Sequence, residues 1–159
     1  MRLQKSLNLI IVLLFVFFFS TAIHEFFHYI VGMTLGGKGL YITYPNLLSG
    51  FCAWPTPFPH MWIAYLAGGL GTGLVLLLLA LRAVKTPTKW DADEAFVFAV
   101  FGGMQIGYGI AELSLYFHSE SFWWLSIIGC VAGSLPFAIW RGPKLVDFIL
   151  AESKGGVCT

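Results

Sequence analysis

The chain has 159 residues, 58% of them apolar and only 11% charged, against about 25% charged in ordinary soluble domains, which excludes a soluble globular protein. A formal net charge of +1 without a clustered basic stripe excludes a nucleic-acid partner, because neutralising phosphates takes many grouped Lys and Arg. Cys52, Cys130 and Cys158 are widely spaced and contain no CxxC pair, so they give neither a disulfide framework nor a thiolate metal site and read as small packing residues.

Apolar stretches of roughly the 20 residues that a membrane-spanning helix needs are predicted over residues 7–31, 61–81, 95–117 and 122–140. The first follows Arg2 and Lys5 and passes through Ser20, Thr21 and Ala22, the layout of a signal peptide. Its apolar pattern continues through Ile23, Phe26, Phe27, Ile30 and Val31, so it is read as a retained span. Residues 36–60, "GGKGLYITYPNLLSGFCAWPTPFPH", carry glycines, then Tyr-Ile-Thr-Tyr of strand propensity, then Pro55, Pro57 and Pro59. This segment is expected to be partly extended and membrane-dipping, a state tolerated only where backbone is buried in protein or lines a wet cavity.

The second span holds the GxxxG pair Gly69 and Gly73, which permits close helix approach. After it, "RAVKTPTKWDADE" is a charged turn, whereas "HSES" at 118–121 is so short that the third and fourth spans must form a tight antiparallel hairpin. No internal repeat, low-complexity tract or linker interrupts the pattern. Residues 1–159 are therefore expected to form a single domain, an all-α integral membrane protein of about four transmembrane helices in a lipid bilayer. With four spans, Lys38 stands on one side and the other Lys and Arg residues on the opposite side, which puts both termini in the cytoplasm.

The end of the first span raises a chemical question. "STAIHEFFHYIVG" buries His24, Glu25 and His28, although an ionisable group near a bilayer centre costs about 2.5 to 3.5 kcal/mol on insertion scales. The pattern is HExxH. On a helix, histidines four apart stand on one face, close enough to bind one metal ion, while Glu25 is placed to reach a water rather than the metal. Zinc suits two imidazoles with an open position and acidifies water to a pKa of about 7. Ligation and catalysis together would offset the cost of burial.

HExxH, the glycine-rich segment behind it and "AGGLGTG" at 67–73 resemble the site-2 proteases, intramembrane zinc metalloproteases with this motif on a core transmembrane helix. The resemblance covers roughly the first three spans. It implies one zinc ion held by His24 and His28, Glu25 as the catalytic carboxylate, and membrane-protein substrates cut in or near their transmembrane segments. It also implies a site toward the cytoplasmic side, whereas the Lys and Arg distribution places it toward the outer face. The family's third ligand, an Asp in an "LDG" motif, has no counterpart here.

Depth supplies a candidate. His24 lies 17 residues into the first span from Leu7, and Glu112 lies 17 residues into the third from Ala95, on a helix entering from the same face; both are roughly 26 Å deep at 1.5 Å per residue. Asp91, Asp93, Glu94 and Asp147 lie at the opposite end, and His60 and His118 are alternative ligands nearer the outer ends. Glu112 belongs to a stripe with Gly102, Gln105, Gly109 and Tyr116, the face a transmembrane helix turns toward its neighbours. A protease in the bilayer must hold its substrate unwound. "GLYITY" at 39–44 is expected either to offer a strand edge for it, with Ile42 and Thr43 as the substrate-binding backbone, or to act as a lid or pack on the second span. A membrane metal-binding or transport protein using the same residues, and an inactive relative of the proteases, are the alternative readings.

Overall fold

The structure is a computed structural model, and it describes residues 2–46, 49–85, 91–117 and 122–154. In chain order these form helix α1 (Arg2–Thr34), strands β1 (Tyr41–Asn46) and β2 (Ser49–Ala53), and helices α2 (Met61–Lys85), α3 (Asp91–Tyr116) and α4 (Phe122–Lys154). Each of the four helices contains a stretch long and apolar enough to cross a membrane: Leu7–Thr34, Met61–Ala83, Glu94–Tyr116 and Phe122–Trp140.

Helix α1 ends where glycine allows it to. Gly36 adopts φ +91°, and the Gly37 N–H donates to the Gly32 carbonyl at 2.9 Å and the Gly36 N–H to the Met33 carbonyl at 3.1 Å. That pair of bonds with a left-handed residue is the Schellman cap. It carries the helix three residues beyond the expected Val31, because the apolar run ends before the backbone bonds do. Helix α4 likewise continues past Trp140 to Lys154, through Pro143.

The segment after α1 is a two-stranded antiparallel hairpin in which Tyr41 pairs with Ala53, Ile42 with Cys52 and Thr43 with Phe51. The predicted extended stretch is therefore a hairpin within an otherwise helical chain, and its backbone groups are partly satisfied across the ladder.

The packing is inverted relative to a water-soluble protein. Large side chains such as Leu14, Phe19, Leu78, Trp123, Ile128 and Trp140 face outward, while Ala64, Thr72, Ala95, Ala99 and Ala111 are buried. Small residues line the helix contacts and let backbones approach, the pattern seen where helices pack in a membrane. Gly69 meets the backbone of Gly109 and Gly73 meets Ile106 and the Gly102 carbonyl, which seats α2 on α3. Gly103 and Gly107 abut Gly133 and Gly129, which seats α4 antiparallel on α3. A small cluster of Val16, Leu76 and Val97, flanked by Leu9, Val12, Leu79, Phe98 and Phe101, joins α1, α2 and α3 below the polar site.

Candidate metal centre

His24, Glu25, His28 and Glu112 are all buried, at 4%, 6%, 5% and 8% exposure. The first three come from one turn and a half of α1, where helical spacing stacks the two imidazoles; their rings are 4.6 Å apart and nearly perpendicular. Glu112 comes from α3. The depth match of Glu112 to His24 is realised, with Glu112 Oε2 3.0 Å from His24 Nε2 and 3.4 Å from His28 Nε2. Ligand atoms of His24, Glu25 and His28 all lie within 4.8 Å of one another, a group that could hold a metal ion. The Glu112 oxygen stands closer to the imidazole nitrogens than that limit.

The outer nitrogens fix the tautomers. His28 Nδ1 is 2.6 Å from the Ala64 carbonyl, which can only accept, so Nδ1 carries the proton and Nε2 the lone pair. His24 Nδ1 donates to Gln105 Oε1 at 2.9 Å, which frees its Nε2 in the same way. The two Nε2 atoms are 3.0 Å apart, and Glu112 Oε2 is buried with no hydrogen-bond partner. Two imidazole Nε2 atoms and a carboxylate thus converge on one point, an arrangement that could hold a metal ion or share a proton between His24 Nε2 and Glu112.

Helix α2 makes room for this cluster by omission. A Cβ on Gly68 would collide with His28 Nε2 and come within 2.7 Å of His24 Nε2. Three residues later Gly71 accommodates the ring of Phe27 in the same manner. "AGGLGTG" is therefore both a helix seam, through Gly69 and Gly73, and a recess for the imidazoles, through Gly68.

Glu25 is held from the other side by β2. The Cys52 backbone N–H donates to its carboxylate, and Gly50 lies flush against it, since a Cβ there would be 3.0 Å from Glu25 Cγ. An N–H directed at Glu25 is not spent across the ladder. The Ile42–Cys52 pair is therefore one without mutual hydrogen bonds, and the ladder bonds fall at the pairs on either side. The Cys52 thiol, pushed above its ordinary value chiefly by burial, stays a neutral thiol.

Ile42 and Thr43, the expected substrate-binding backbone, form the strand farther from Glu25, are paired with Cys52 and Phe51, and line neither cavity at the site. The strand beside Glu25 is β2, because the hairpin returns the chain past Glu25 on its second strand. Its free edge presents the backbone of Gly50 and Cys52. Of the alternative ligands, His60 is exposed at the start of α2 with φ 57° and lines neither cavity, while His118 falls outside the described residues. Asp91 begins α3, at the end opposite Glu112.

Two cavities adjoin the site. One, of about 290 Å³, is lined by Thr21, His24, Met104, Gln105 and Cys130 among others. The second, of about 430 Å³, is lined by His28, Trp54, Tyr65, Glu112, Leu115 and Phe122 among others. Glu25, Gly50 and Tyr108 line both. Tyr108 escaped the sequence reading, although it lies four residues before Glu112 and three after Gln105 and so shares their face of α3. No family model, curated protein or solved structure matches the chain, so the site is read from its own chemistry.

Proposed function

We propose that the chain is a multi-pass integral membrane zinc metallo-endopeptidase, similar to the site-2 proteases, that hydrolyses peptide bonds in or near transmembrane segments of other membrane proteins. The observation that carries this reading is the convergence, within an apolar helix bundle, of His24 Nε2, His28 Nε2 and Glu112 Oε2, with the second carboxylate, Glu25, beside them. Zinc bonds of about 2.0 to 2.1 Å at tetrahedral angles put donor atoms roughly 3.3 Å apart. The three atoms here are 3.0, 3.0 and 3.4 Å from one another, so the donor set fits one zinc ion held by His24, His28 and Glu112. When bound, zinc supplies acidified water and polarisation of the scissile carbonyl.

The chain's own residues do the rest. Glu25 takes the proton of the attacking water and delivers it to the leaving amine. The Cys52 N–H keeps one carboxylate oxygen in place while the other works. A substrate helix must be locally unwound to expose its carbonyls, and its freed backbone groups need partners. The backbone of Gly50 and the Cys52 carbonyl, on the outer edge of β2, offer them by strand addition, while the Cys52 N–H stays with Glu25. In this reading both termini are cytoplasmic, following the Lys and Arg distribution.

The test is zinc content and cleavage of a transmembrane peptide, measured together for wild type and Glu25→Gln. The expected result is stoichiometric zinc in both and cleavage only in the wild type. A metal-transport protein would keep its function in Glu25→Gln with the His pair intact, and that outcome would replace the protease reading.

A further inference from the structure

Glu25, Gly50 and Tyr108 line both cavities. An extended peptide running from one cavity to the other would pass these residues, which brings its reacting bond within reach of both Glu25 and the Tyr108 side chain. We propose that the Tyr108 hydroxyl is a further catalytic group, donating a hydrogen bond to the carbonyl oxygen of the bond being cleaved. This rests on the protease reading above and deepens it.

The placement of Tyr108 is fixed from three sides. Its ring meets the edge of His24 at 5.6 Å and packs on Phe122 of α4 at 6.0 Å. Its backbone is held by α3 between Gln105 and Glu112, which both reach the imidazole cluster. The phenol is within electrostatic reach of Glu112 and Glu25. Tyr65, the other tyrosine of the larger cavity, is instead packed on Trp54 and Tyr116 and lines only that cavity.

In the reaction, the water oxygen bonds to the carbonyl carbon as the π pair moves onto the carbonyl oxygen. One water proton passes to Glu25. The carbonyl then reforms as the C–N bond breaks, and Glu25 gives its proton to the departing nitrogen, leaving an acid and an amine. The negative charge exists on the oxygen only between those two stages. A neutral phenol aimed there strengthens its bond as the charge grows, and so lowers the barrier rather than tightening substrate binding. Glu25 is left free to handle protons.

The alternative role for Tyr108 is to buttress the His24 ring, which Phe would perform equally well. The deciding variant is therefore Tyr108→Phe in the full-length, zinc-loaded protein. The substrate probe is a quenched-fluorescent peptide of about 20 apolar residues with a central Asn-Gly helix break. The second probe is its phosphinic analogue, whose anionic oxygens stand in for the charged carbonyl oxygen. The expected result is a kcat lower by about 10²- to 10³-fold, an unchanged KM, unchanged zinc content and melting temperature, and weaker binding of the phosphinic peptide. Wild-type kcat in Tyr108→Phe, with Glu25→Gln inactive, overturns the role of Tyr108 and leaves the protease reading standing. Loss of zinc in Tyr108→Phe also overturns it, in favour of a buttress. A wild type no more active than Glu25→Gln removes the protease reading and this inference with it.

Discussion

His24 Nδ1 on α1 donates to Gln105 Oε1 on α3 across 2.9 Å, so an uncharged amide from a neighbouring helix decides which nitrogen of that imidazole faces the candidate metal site. Partners of this kind commonly change metal affinity by about 10- to 100-fold when removed. Gln105→Leu should weaken zinc binding by that amount, whereas Gln105→Glu, which keeps an acceptor, should retain it. Competition with a zinc chelator of known affinity measures both. Equal affinity in Gln105→Leu and wild type would show that packing alone orients the ring.

The ligand set has its own signature. Substituting His24, His28 or Glu112 with Ala should each remove zinc and cleavage, while Glu25→Gln should lose cleavage and keep zinc. Asp91→Ala and Asp93→Ala, at the far end of α3, should alter neither. Removing zinc with a chelator should also lower the melting temperature, because a ligand at 100 times its Kd adds about 2.7 kcal/mol to the folded state. Damage from the Asp changes in place of Glu112→Ala would show that the helix registers are wrong.

Gly68 is expected to be intolerant of even one added carbon. A methyl group there would overlap both Nε2 atoms, and the imidazoles have little freedom to retreat while their Nδ1 atoms are bound to Gln105 and Ala64. Gly68→Ala should therefore cost zinc affinity while preserving the helical circular dichroism spectrum. Gly36→Ala, where a Cβ meets nothing within 4 Å but φ is +91°, should do the reverse, with zinc kept and some stability lost.

Proline scanning separates the two strands. Cys52→Pro removes the N–H that holds Glu25 and should depress turnover strongly with zinc retained. Ile42→Pro falls at a pair without ladder bonds, on the strand farther from the site, and should have a smaller effect. Thr43→Pro deletes a ladder bond and should loosen the hairpin. Turnover of a transmembrane peptide in detergent ranks the three. An Ile42→Pro defect deeper than that of Cys52→Pro would return the substrate edge to β1.

The helices and the proximity of most candidate-site residues were legible in the sequence, for identifiable reasons. Hydropathy located each apolar run, yet it measures where lipid-compatible side chains stop rather than where backbone bonds stop, so it missed the capped end of α1 at Thr34 and the continuation of α4 to Lys154. Glu112 was legible because depth along a straight helix is simple arithmetic. Tyr108 was not, since an aromatic residue in an apolar span looks like any other until a cavity is seen on both sides of it. Strand β2 hid for a related reason. "SGFCA" has little strand propensity, and what makes it a strand beside Glu25 is its ladder to β1 and the bare backbone of Gly50.

Gly68 and Gly69 turn the middle of α2 into a spacer with two bare sides. One faces the imidazoles of α1; the other lies against the Gln105 carbonyl and Gly109 of α3. The histidines and Glu112 belong to helices that both pack on it, so the bare helix helps set their spacing beside the direct His24–Gln105 and His24–Glu112 contacts. Such spacing would select a bound ion by its radius. Adding a methyl group at Gly69 would move α3 outward together with Glu112, and the widened opening would favour a larger ion such as cadmium over zinc. Metal preference would then be set in a helix that contributes no ligand side chain.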